Sequence, residues 1–182
     1  MESAAKIKET LQAASTEKLP EFIAEYETDP RSGVQKLVAS ARKKLDALEK
    51  EKQRIENLKK YEREYAQYSY ICGIDEVGRG PLAGPVVAGA VILPKDCHIL
   101  YINDSKQLSE KKREELYDVI TREAVAWAVG YASPKRIDEI NILQATYEAM
   151  REAIGKLTLA PDLLLNDAVT IPGVNIRQVP II

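Results

Sequence analysis

The sequence is poor in the residues that build disulfide, zinc and histidine-based sites. Its 182 residues include two cysteines, one histidine, one tryptophan and one phenylalanine. Cys72 and Cys97 are too few for a disulfide framework or a zinc site, and Cys72 lies in an apolar run where we expect a reduced, buried thiol. His98 is the only histidine, so a catalytic triad or a zinc site built on histidine is disfavoured.

Long hydrophobic runs and a strong net charge are also missing. No apolar stretch is long enough to span a membrane and no signal peptide is present, so we expect the chain to be cytoplasmic. The net charge of −2 gives no overall nucleic-acid signature. Any binding to nucleic acid must therefore come from local charge. The length favours one domain with an appendage.

What the sequence does contain is an acidic pair at the end of an apolar segment. The run that starts at Tyr70 predicts a buried strand, yet it carries Asp75 and Glu76 in succession. They are either a solvated strand end or the ligands of a divalent cation, since burying unpaired carboxylates is costly. Side chains alternate along a strand, so the two would converge only if the strand ends or bends there.

The next residues would allow such a bend. Gly78 and Gly80 can adopt backbone angles closed to other residues, and Arg79 between them is suited to bidentate contact with a phosphate. The same residues match the dinucleotide fingerprint G-x-G-x-x-A. That fingerprint requires a following helix, whereas Val86–Leu93 predicts a second strand, so we set it aside.

Residues 1–69 predict a separate helical domain. Ser3 and Ser15 precede two short amphipathic segments, and Asp29 followed by Pro30 predicts the start of a long third helix. Between Lys36 and Arg63 there are ten Lys or Arg and five Asp or Glu. These basic residues form either the solvated face of a coiled coil or a surface that binds a nucleic-acid backbone.

Further along, a polar loop carries Ser105 and Lys106, whose hydroxyl and ammonium groups are suited to phosphate contacts. Ser109 is also a good cap for a helix over residues 110–123, and both roles are compatible. A third strand follows over residues 124–131 with Trp127 expected in the core, and then one helix over 135–156.

The last predicted strands bring a third carboxylate. The apolar run over residues 161–168 stops at Asp167, and residues 175–182 predict a final strand. A strand ending at Asp167 beside a strand that carries Asp75 and Glu76 would assemble a metal site at the rim of a sheet.

Two of these motifs carry a family resemblance. The string Asp-Glu-Val-Gly-Arg-Gly-Pro-Leu-Ala-Gly-Pro over residues 75–85, and Asp104-Ser105-Lys106 with the following Leu-Ser, closely resemble bacterial type 2 ribonuclease H (ribonuclease HII). The resemblance implies an α/β fold, a ribonuclease H-like mixed sheet flanked by helices over residues 70–182, preceded by the small all-helical domain. It implies that this domain assists substrate binding.

The resemblance also implies an activity, namely endonucleolytic hydrolysis of the RNA strand in RNA–DNA hybrids and incision at ribonucleotides embedded in duplex DNA. Asp75, Glu76 and Asp167 would be catalytic and would hold Mn²⁺ or Mg²⁺. Substrate would be bound by five residues: Gly78, Arg79, Gly80, Ser105 and Lys106. We expect a monomer.

The chain departs from the family pattern in two places. Asn166 and Ala168 flank Asp167 where the family usually has Val or Ile and Gly, and the stretch that carries the fourth catalytic Asp does not follow residue 182. We therefore interpret the chain as C-terminally truncated, with an apolar sheet face exposed and lower stability or self-association as a result. Two alternatives stay open, a non-catalytic hybrid-binding fragment and a coiled-coil interaction fragment.

Overall fold

The computed structural model describes residues 2–81 and 83–181. Leu82 of the acidic motif and Ile182 of the predicted last strand therefore lie outside the described residues. Within the described part of the chain, no helix is both long enough and apolar enough to cross a membrane. The chain forms two compact units, Met1–Leu58 and Lys59–Ile182.

The first unit is a small helical bundle of α1 (Ala4–Ala13), α2 (Leu19–Tyr26) and α3 (Ser32–Leu58). As predicted, Ser3 caps α1, because its hydroxyl accepts a hydrogen bond from the Lys6 backbone N–H at 3.3 Å. The amphipathic faces of the three helices bury one apolar cluster, which contains Ile7, Leu11, Leu19, Phe22, Val34 and Val38.

The start of α3 differs from the prediction. Asp29 does not act as the N-cap, and the helix begins at Ser32. The Asp29 carboxylate instead accepts hydrogen bonds from the Arg31 backbone N–H at 3.0 Å and from its guanidinium at 2.6 Å. This hydrogen bonding by Arg31 lowers the pKa of Asp29 to about 2. The local pairing competes with capping and delays the helix.

The second unit contains α4 (Lys60–Glu64), β1 (Ile71–Val77), β2 (Val86–Ile92), α5 (Glu110–Glu123), β3 (Ala126–Ala132), α6 (Pro134–Ile140), α7 (Ile142–Lys156), β4 (Leu163–Asp167) and β5 (Arg177–Ile181). The segment from residue 59 to 70 belongs to this unit because it is bonded to it. The Asp162 carboxylate accepts from the backbone N–H groups of Ser69 and Tyr70, and Arg177 donates to the Tyr68 hydroxyl at 2.9 Å. The domain boundary at residue 69 stays a prediction.

The five strands form one mixed sheet in the order β3-β2-β1-β4-β5. The pairs β1–β2 and β2–β3 are antiparallel, whereas β1–β4 and β4–β5 are parallel. β1–β2 and β2–β3, joined by a turn and by a connection containing α5, pair antiparallel, and β4, reached through the helices α6 and α7, pairs parallel with β1. β5 follows β4 through a loop without a helix and still pairs parallel with it. The predicted mixed α/β sheet is confirmed.

One face of the sheet is covered by α7. Alternate residues of β1, β2 and β3 are buried against it, including Cys72, Ile74, Ala88 and Ala90, together with Ala149 and Met150 of the helix. Cys72 is fully buried and unpaired, as predicted, and burial raises the pKa of its thiol to about 12. Its thiol therefore stays protonated and unreactive.

The single helix predicted over residues 135–156 is wrong. It is interrupted at Asn141, whose φ of 68° lies in the left-handed region. The Asn141 side-chain oxygen accepts from the backbone N–H groups of Leu143 and Gln144, and so caps α7. The Asn141 side chain stabilises this interruption of the helix, because asparagine tolerates the left-handed conformation and its side chain competes for backbone donors.

The other face of the sheet is open at β3. Val129 and Tyr131 are 41% and 52% exposed, and Trp127, expected in the core, is 40% exposed. The Trp127 ring makes an edge-on contact with Tyr117 of α5, at 6.1 Å between ring centroids. The alternation of β3 was predicted correctly, but its larger side chains lie on the uncovered face and its alanines on the covered one.

Candidate active site

Two of the predicted carboxylates lie side by side at the carboxyl edge of the sheet. The parallel pairing of β1 and β4 ends at Ile74 opposite Asn166, and the next residues along the two strands are Asp75 and Asp167. Neighbouring strands are about 4.8 Å apart, and residues in register point to the same face. Both carboxylates are exposed, so they are open to solvent and to a ligand.

The surroundings of Asp75 leave room above the sheet. On β2 its partner in register is Gly89, which has no side chain, and no atom lies within 4 Å of the position a Cβ would take there. The Asp75 carboxylate accepts a hydrogen bond from the Glu76 backbone N–H at 2.7 Å, which holds its rotamer. The carboxylate is thus oriented by its own strand and approachable from the open face.

Glu76 does not join this pair. We expected the strand to end or bend at the acidic pair, but β1 continues to Val77, so alternation places Glu76 on the face opposite to Asp75. There it is half-buried and accepts a hydrogen bond from Arg79 at 3.0 Å. The described residues contain no group of three or more Asp, Glu, His or Cys side chains that would hold a metal ion.

The turn comes after the strand, at Gly78. Its φ is +101°, and a Cβ there would overlap the carbonyl of Pro85. Glycine is therefore required at this position for both conformation and space. Gly80 has ordinary φ and open surroundings, so the structure does not require glycine there. Arg79 is exposed and is held by Glu76.

Ser105 and Lys106 lie in a short 3₁₀ turn, Ser105–Gln107, with both side chains exposed. The turn is capped by the Asp104 carboxylate, which accepts from the Lys106 backbone N–H at 2.9 Å. Ser109 caps α5 as predicted. In the part of the chain that the structure describes, no hydrogen bond or ion pair joins this loop to Asp75, Glu76 or Asp167, so the structure does not bring the two predicted groups into contact.

The donor set suits a hard divalent ion in part. Carboxylate oxygens are the ligands preferred by Mg²⁺ and Mn²⁺, and such ions are often held by one or two carboxylates, with water and substrate phosphates completing the shell. The pair Asp75 and Asp167 meets that requirement. A three-carboxylate set would need Glu76 to leave Arg79 and turn towards the opposite face.

Asn166 and Gln178, which lie beside Asp167 and bond to the loop after it, were not predicted as part of the site. The side-chain amides of Asn166 and Gln178 hydrogen-bond each other at 2.8 Å, and Gln178 bonds both backbone groups of Ile171 in the loop that follows Asp167. Asn166 was noticed only as a departure from a pattern. The available signal was a polar residue inside an otherwise apolar strand.

Comparison with protein families covers both units. A model described as "Ribonuclease HII N-terminal domain" matches residues 3–66, and a model described as "Ribonuclease HII" matches residues 72–180. With the mixed sheet and the acidic edge, these matches define a protein of the ribonuclease H-like class.

Two curated relatives, both called ribonuclease HII, are similar to this chain over most of its length. The chain is 66% identical to that of Lachnoclostridium phytofermentans over 157 residues and 50% identical to that of Clostridioides difficile over 182 residues. The chain belongs to the ribonuclease HII family.

The chain corresponds to only part of the length of these relatives. The alignments cover 86% of this chain but 62% of the L. phytofermentans protein, and 99% of this chain with 71% of the C. difficile protein. Among solved structures, the chain is similar to the ribonuclease H2 of Pyrococcus horikoshii with 28% identity and a TM-score of 0.47, covering 58% of this chain and 52% of that one.

Proposed function

We propose that this chain carries the catalytic carboxylates of an endonuclease that hydrolyses the RNA strand of RNA–DNA hybrids and incises duplex DNA at embedded ribonucleotides. Family membership supports the class of reaction. The observation that carries the proposal is the placement of Asp75 and Asp167 next to each other, exposed, at the carboxyl edge of two parallel strands. That edge is where open α/β sheets usually hold their ligands.

The proposed activity depends on a divalent ion, Mn²⁺ or Mg²⁺, held by Asp75 and Asp167. Glu76 would be a third ligand only if it leaves Arg79 and the end of β1 turns it to the face of Asp75. When bound, such ions supply an activated water and stabilise the leaving oxygen of an in-line displacement at phosphorus. The contribution of the chain is to present two carboxylates at fixed spacing on a rigid sheet. The choice between the two metals stays a prediction.

Recognition of the ribonucleotide is assigned to the glycine turn. Arg79 is exposed and pairs with the half-buried Glu76, and a substrate phosphate would compete with that carboxylate for the guanidinium. The backbone of Gly78 and Gly80 would then contact the ribose 2′-hydroxyl, the group that distinguishes RNA from DNA. Ser105 and Lys106 would contact neighbouring phosphates. In this scheme the 2′-hydroxyl is recognised and does not attack, so the products carry no 2′,3′-cyclic phosphate.

The helical unit is proposed to assist by holding the nucleic-acid backbone. Lys36, Lys43 and Lys50 recur every seven residues on α3, so they share one face at a spacing of about 10 Å. All three are exposed, and that face is opposite the one that buries Val34 and Val38. We call these three residues the lysine stripe. Its lysines are available for phosphate contacts that release counterions.

The test is cleavage of a labelled DNA duplex that contains one ribonucleotide, with Mn²⁺ or Mg²⁺, by the chain and by Asp75→Asn. We expect incision 5′ to the ribonucleotide, a 3′-hydroxyl and a 5′-phosphate as products, and at least about a 100-fold loss of rate in the variant, since even groups that only support metal ligands change activity by 10–100-fold. Asp118→Asn, which changes an exposed carboxylate of α5 in the same way, is the matched control.

Three outcomes would overturn the proposal. Products with cyclic phosphates would reject the role of the 2′-hydroxyl, and equal activity of Asp75→Asn would reject the site. Salt-sensitive binding without cleavage at any metal concentration would favour the alternative of a non-catalytic hybrid-binding fragment. The monomeric state and the cytoplasmic location stay predictions.

A further inference from the structure

Asn166 is a polar residue in a place built for apolar ones. It lies in β4 after three buried leucines and is itself 0% exposed. A buried side-chain amide is unfavourable unless its hydrogen-bonding groups are satisfied. Its place in the strand therefore depends on which groups the Asn166 amide binds.

The amide holds the loop that follows Asp167. Its Nδ2 donates to the Val169 carbonyl at 3.2 Å and to the Gln178 side-chain oxygen at 2.8 Å. Gln178, on β5, binds both backbone groups of Ile171, since its Oε1 accepts from the Ile171 N–H at 2.7 Å and its Nε2 donates to the Ile171 carbonyl at 2.9 Å. We call Asn166 and Gln178 together the amide clamp.

The clamp fixes which way each amide faces. Gln178 Oε1 accepts from a backbone N–H, so Asn166 must offer its Nδ2 to it, and a flipped Asn166 would place an oxygen against two acceptors. In this orientation Asn166 Oδ1 is buried and has no hydrogen-bond partner among the described residues. An orphaned acceptor in an apolar strand is unfavourable for folding, and such departures from local rules are expected at functional sites.

Asp167 lies within the short loop that the hydrogen bond from Asn166 to Val169 closes. The bond from Asn166 to Val169 spans Asp167 and Ala168, and Ala168 has a φ of 51°, a left-handed conformation that alanine rarely adopts. The Ala168 N–H donates to the Ile181 carbonyl at 2.9 Å. The backbone of Asp167 is therefore held from both sides, by the clamp on the loop and by β5.

We propose that the amide clamp positions the Asp167 carboxylate beside Asp75, and that Asn166 and Gln178 are positioning residues for the metal-dependent reaction. The inference rests on the proposed function and adds the residues that set the geometry of its second carboxylate. Neither clamp residue touches substrate. They act by holding a strained loop in the one conformation that keeps Asp167 in register.

The first variant is Asn166→Leu, which matches the side chain in size and removes the orphaned oxygen along with the clamp. We expect kcat to fall at least tenfold with KM for the duplex unchanged, and the unfolding midpoint to be unchanged or raised. Gln178→Glu is the second variant, because it keeps the acceptor for Asn166 and Ile171 and loses the donor to the carbonyls of Ile171 and Val174. It decides the matter if Asn166→Leu does not fold, and we expect a smaller loss of kcat from it.

Thr146→Val is the matched control. Thr146 is the other buried polar residue described, but it lies in α7 and donates to the Ile142 carbonyl at 2.8 Å within its own helix. We expect its kcat to equal that of the parent chain. A similar loss of kcat in Thr146→Val would show that any buried polar substitution slows the enzyme, and would overturn the positioning role.

Two readouts need no activity. Affinity for Mn²⁺ alone, measured by electron paramagnetic resonance, should weaken about tenfold in Asn166→Leu, and the amides of Ala168 and Ile171 should exchange at least tenfold faster while those of α7 do not. If the parent chain does not cleave but these changes appear, the proposed function fails and the clamp stands. If Asn166→Leu changes neither the Mn²⁺ affinity nor the amide exchange of Ala168 and Ile171, the clamp is overturned, whether or not the chain cleaves. If amide exchange is faster but kcat and Mn²⁺ affinity are unchanged, the positioning role is overturned.

Discussion

At the scale of single residues, Gly130 decides how closely β3 and α7 pack. A Cβ at this position would overlap the carbonyl of Ala149 and lie 2.7 Å from the Ala153 nitrogen. Because both obstacles are backbone, neither can move aside as a flexible side chain would. The close approach also lets Glu152 accept a hydrogen bond from the Tyr131 N–H at 2.8 Å on this edge strand. Its ion pair with Lys156 and this backbone bond lower the pKa of Glu152.

We therefore expect Gly130→Ala to destabilise the second unit by about 2 kcal/mol or more, since overpacking a rigid contact forces backbone shifts. The measurement is urea unfolding followed by circular dichroism. Gly89→Ala is the matched control, because Gly89 lies in the neighbouring strand with open space at its Cβ position. It should be neutral or stabilising by up to about 1 kcal/mol, through the unfolded chain. Equal midpoints for both variants would contradict the packing argument.

Individual residues also show which placements the sequence could predict. Asp75 and Asp167 were predicted as a site because each is a charge at the end of an apolar strand, a conflict visible without coordinates. The pairing of Glu76 with Arg79 was not predicted, because it depends on the strand continuing for one more residue. The partnership of Asn166 with Gln178 depends on the pairing of β4 with β5, and no local pattern specifies that pairing.

At the scale of elements, α3 combines a buried face and a cationic one. Several of its basic residues are already paired, such as Arg42 with Glu27 and Lys52 with Glu49. The lysine stripe, by contrast, forms no ion pair with any residue in the described ranges. If the stripe contacts phosphates, its removal must change how binding depends on salt.

We expect a triple change of Lys36, Lys43 and Lys50 to Gln to weaken duplex binding and to reduce the slope of log Kd against log salt by about 0.9 for each phosphate that the chain no longer neutralises. The measurement is fluorescence anisotropy over a range of salt concentrations. The control carries Gln at Lys6, Arg42 and Lys52, which alters the net charge equally but removes residues that pair with acids. If both triple variants change the slope equally, the effect is one of net charge and the stripe has no special role.

Element boundaries were predicted less well than element types. The long first-unit helix, the five strands and the helix capped by Ser109 were all expected from periodicity and capping residues. The errors fell at Asp29 and Asn141, where a side chain bonds to nearby backbone and moves or creates a helix end. Such competition between capping and local turns is decided by tertiary context, which a sequence window does not contain.

At the scale of the whole molecule, one face of the sheet is covered by α7, and the other is open at β3 but closed at β4, where Leu163 and Leu165 are buried. Trp127 is the only tryptophan and lies on the open face, so its fluorescence reports the state of that face alone. It was predicted in the core because alternation identifies two faces without telling which of them is covered. Only the packing of α7 against β2 and β3 decides that.

We expect Trp127 to emit as a solvent-exposed indole at micromolar concentration and to be quenched by iodide in the folded protein nearly as well as in urea. Replacement by Thr, which suits an exposed strand position, should lower stability by about 1–2 kcal/mol, because more than half of the Trp127 surface is covered. A blue-shifted emission that is protected from iodide would contradict an open face. If that protection develops only as protein concentration rises, it would instead reveal self-association through this face.

The parallel pairing of β1 with β4 has a consequence for the timing of folding. Asp75 and Asp167 belong to strands that are roughly ninety residues apart in sequence, and such non-local pairs form late because a long loop must close first. During synthesis the chain emerges from its amino end, so the second carboxylate and its loop reach the sheet after β1, β2, β3 and α7 are available. The two carboxylates therefore cannot meet on a nascent chain until nearly all of the sheet has been made.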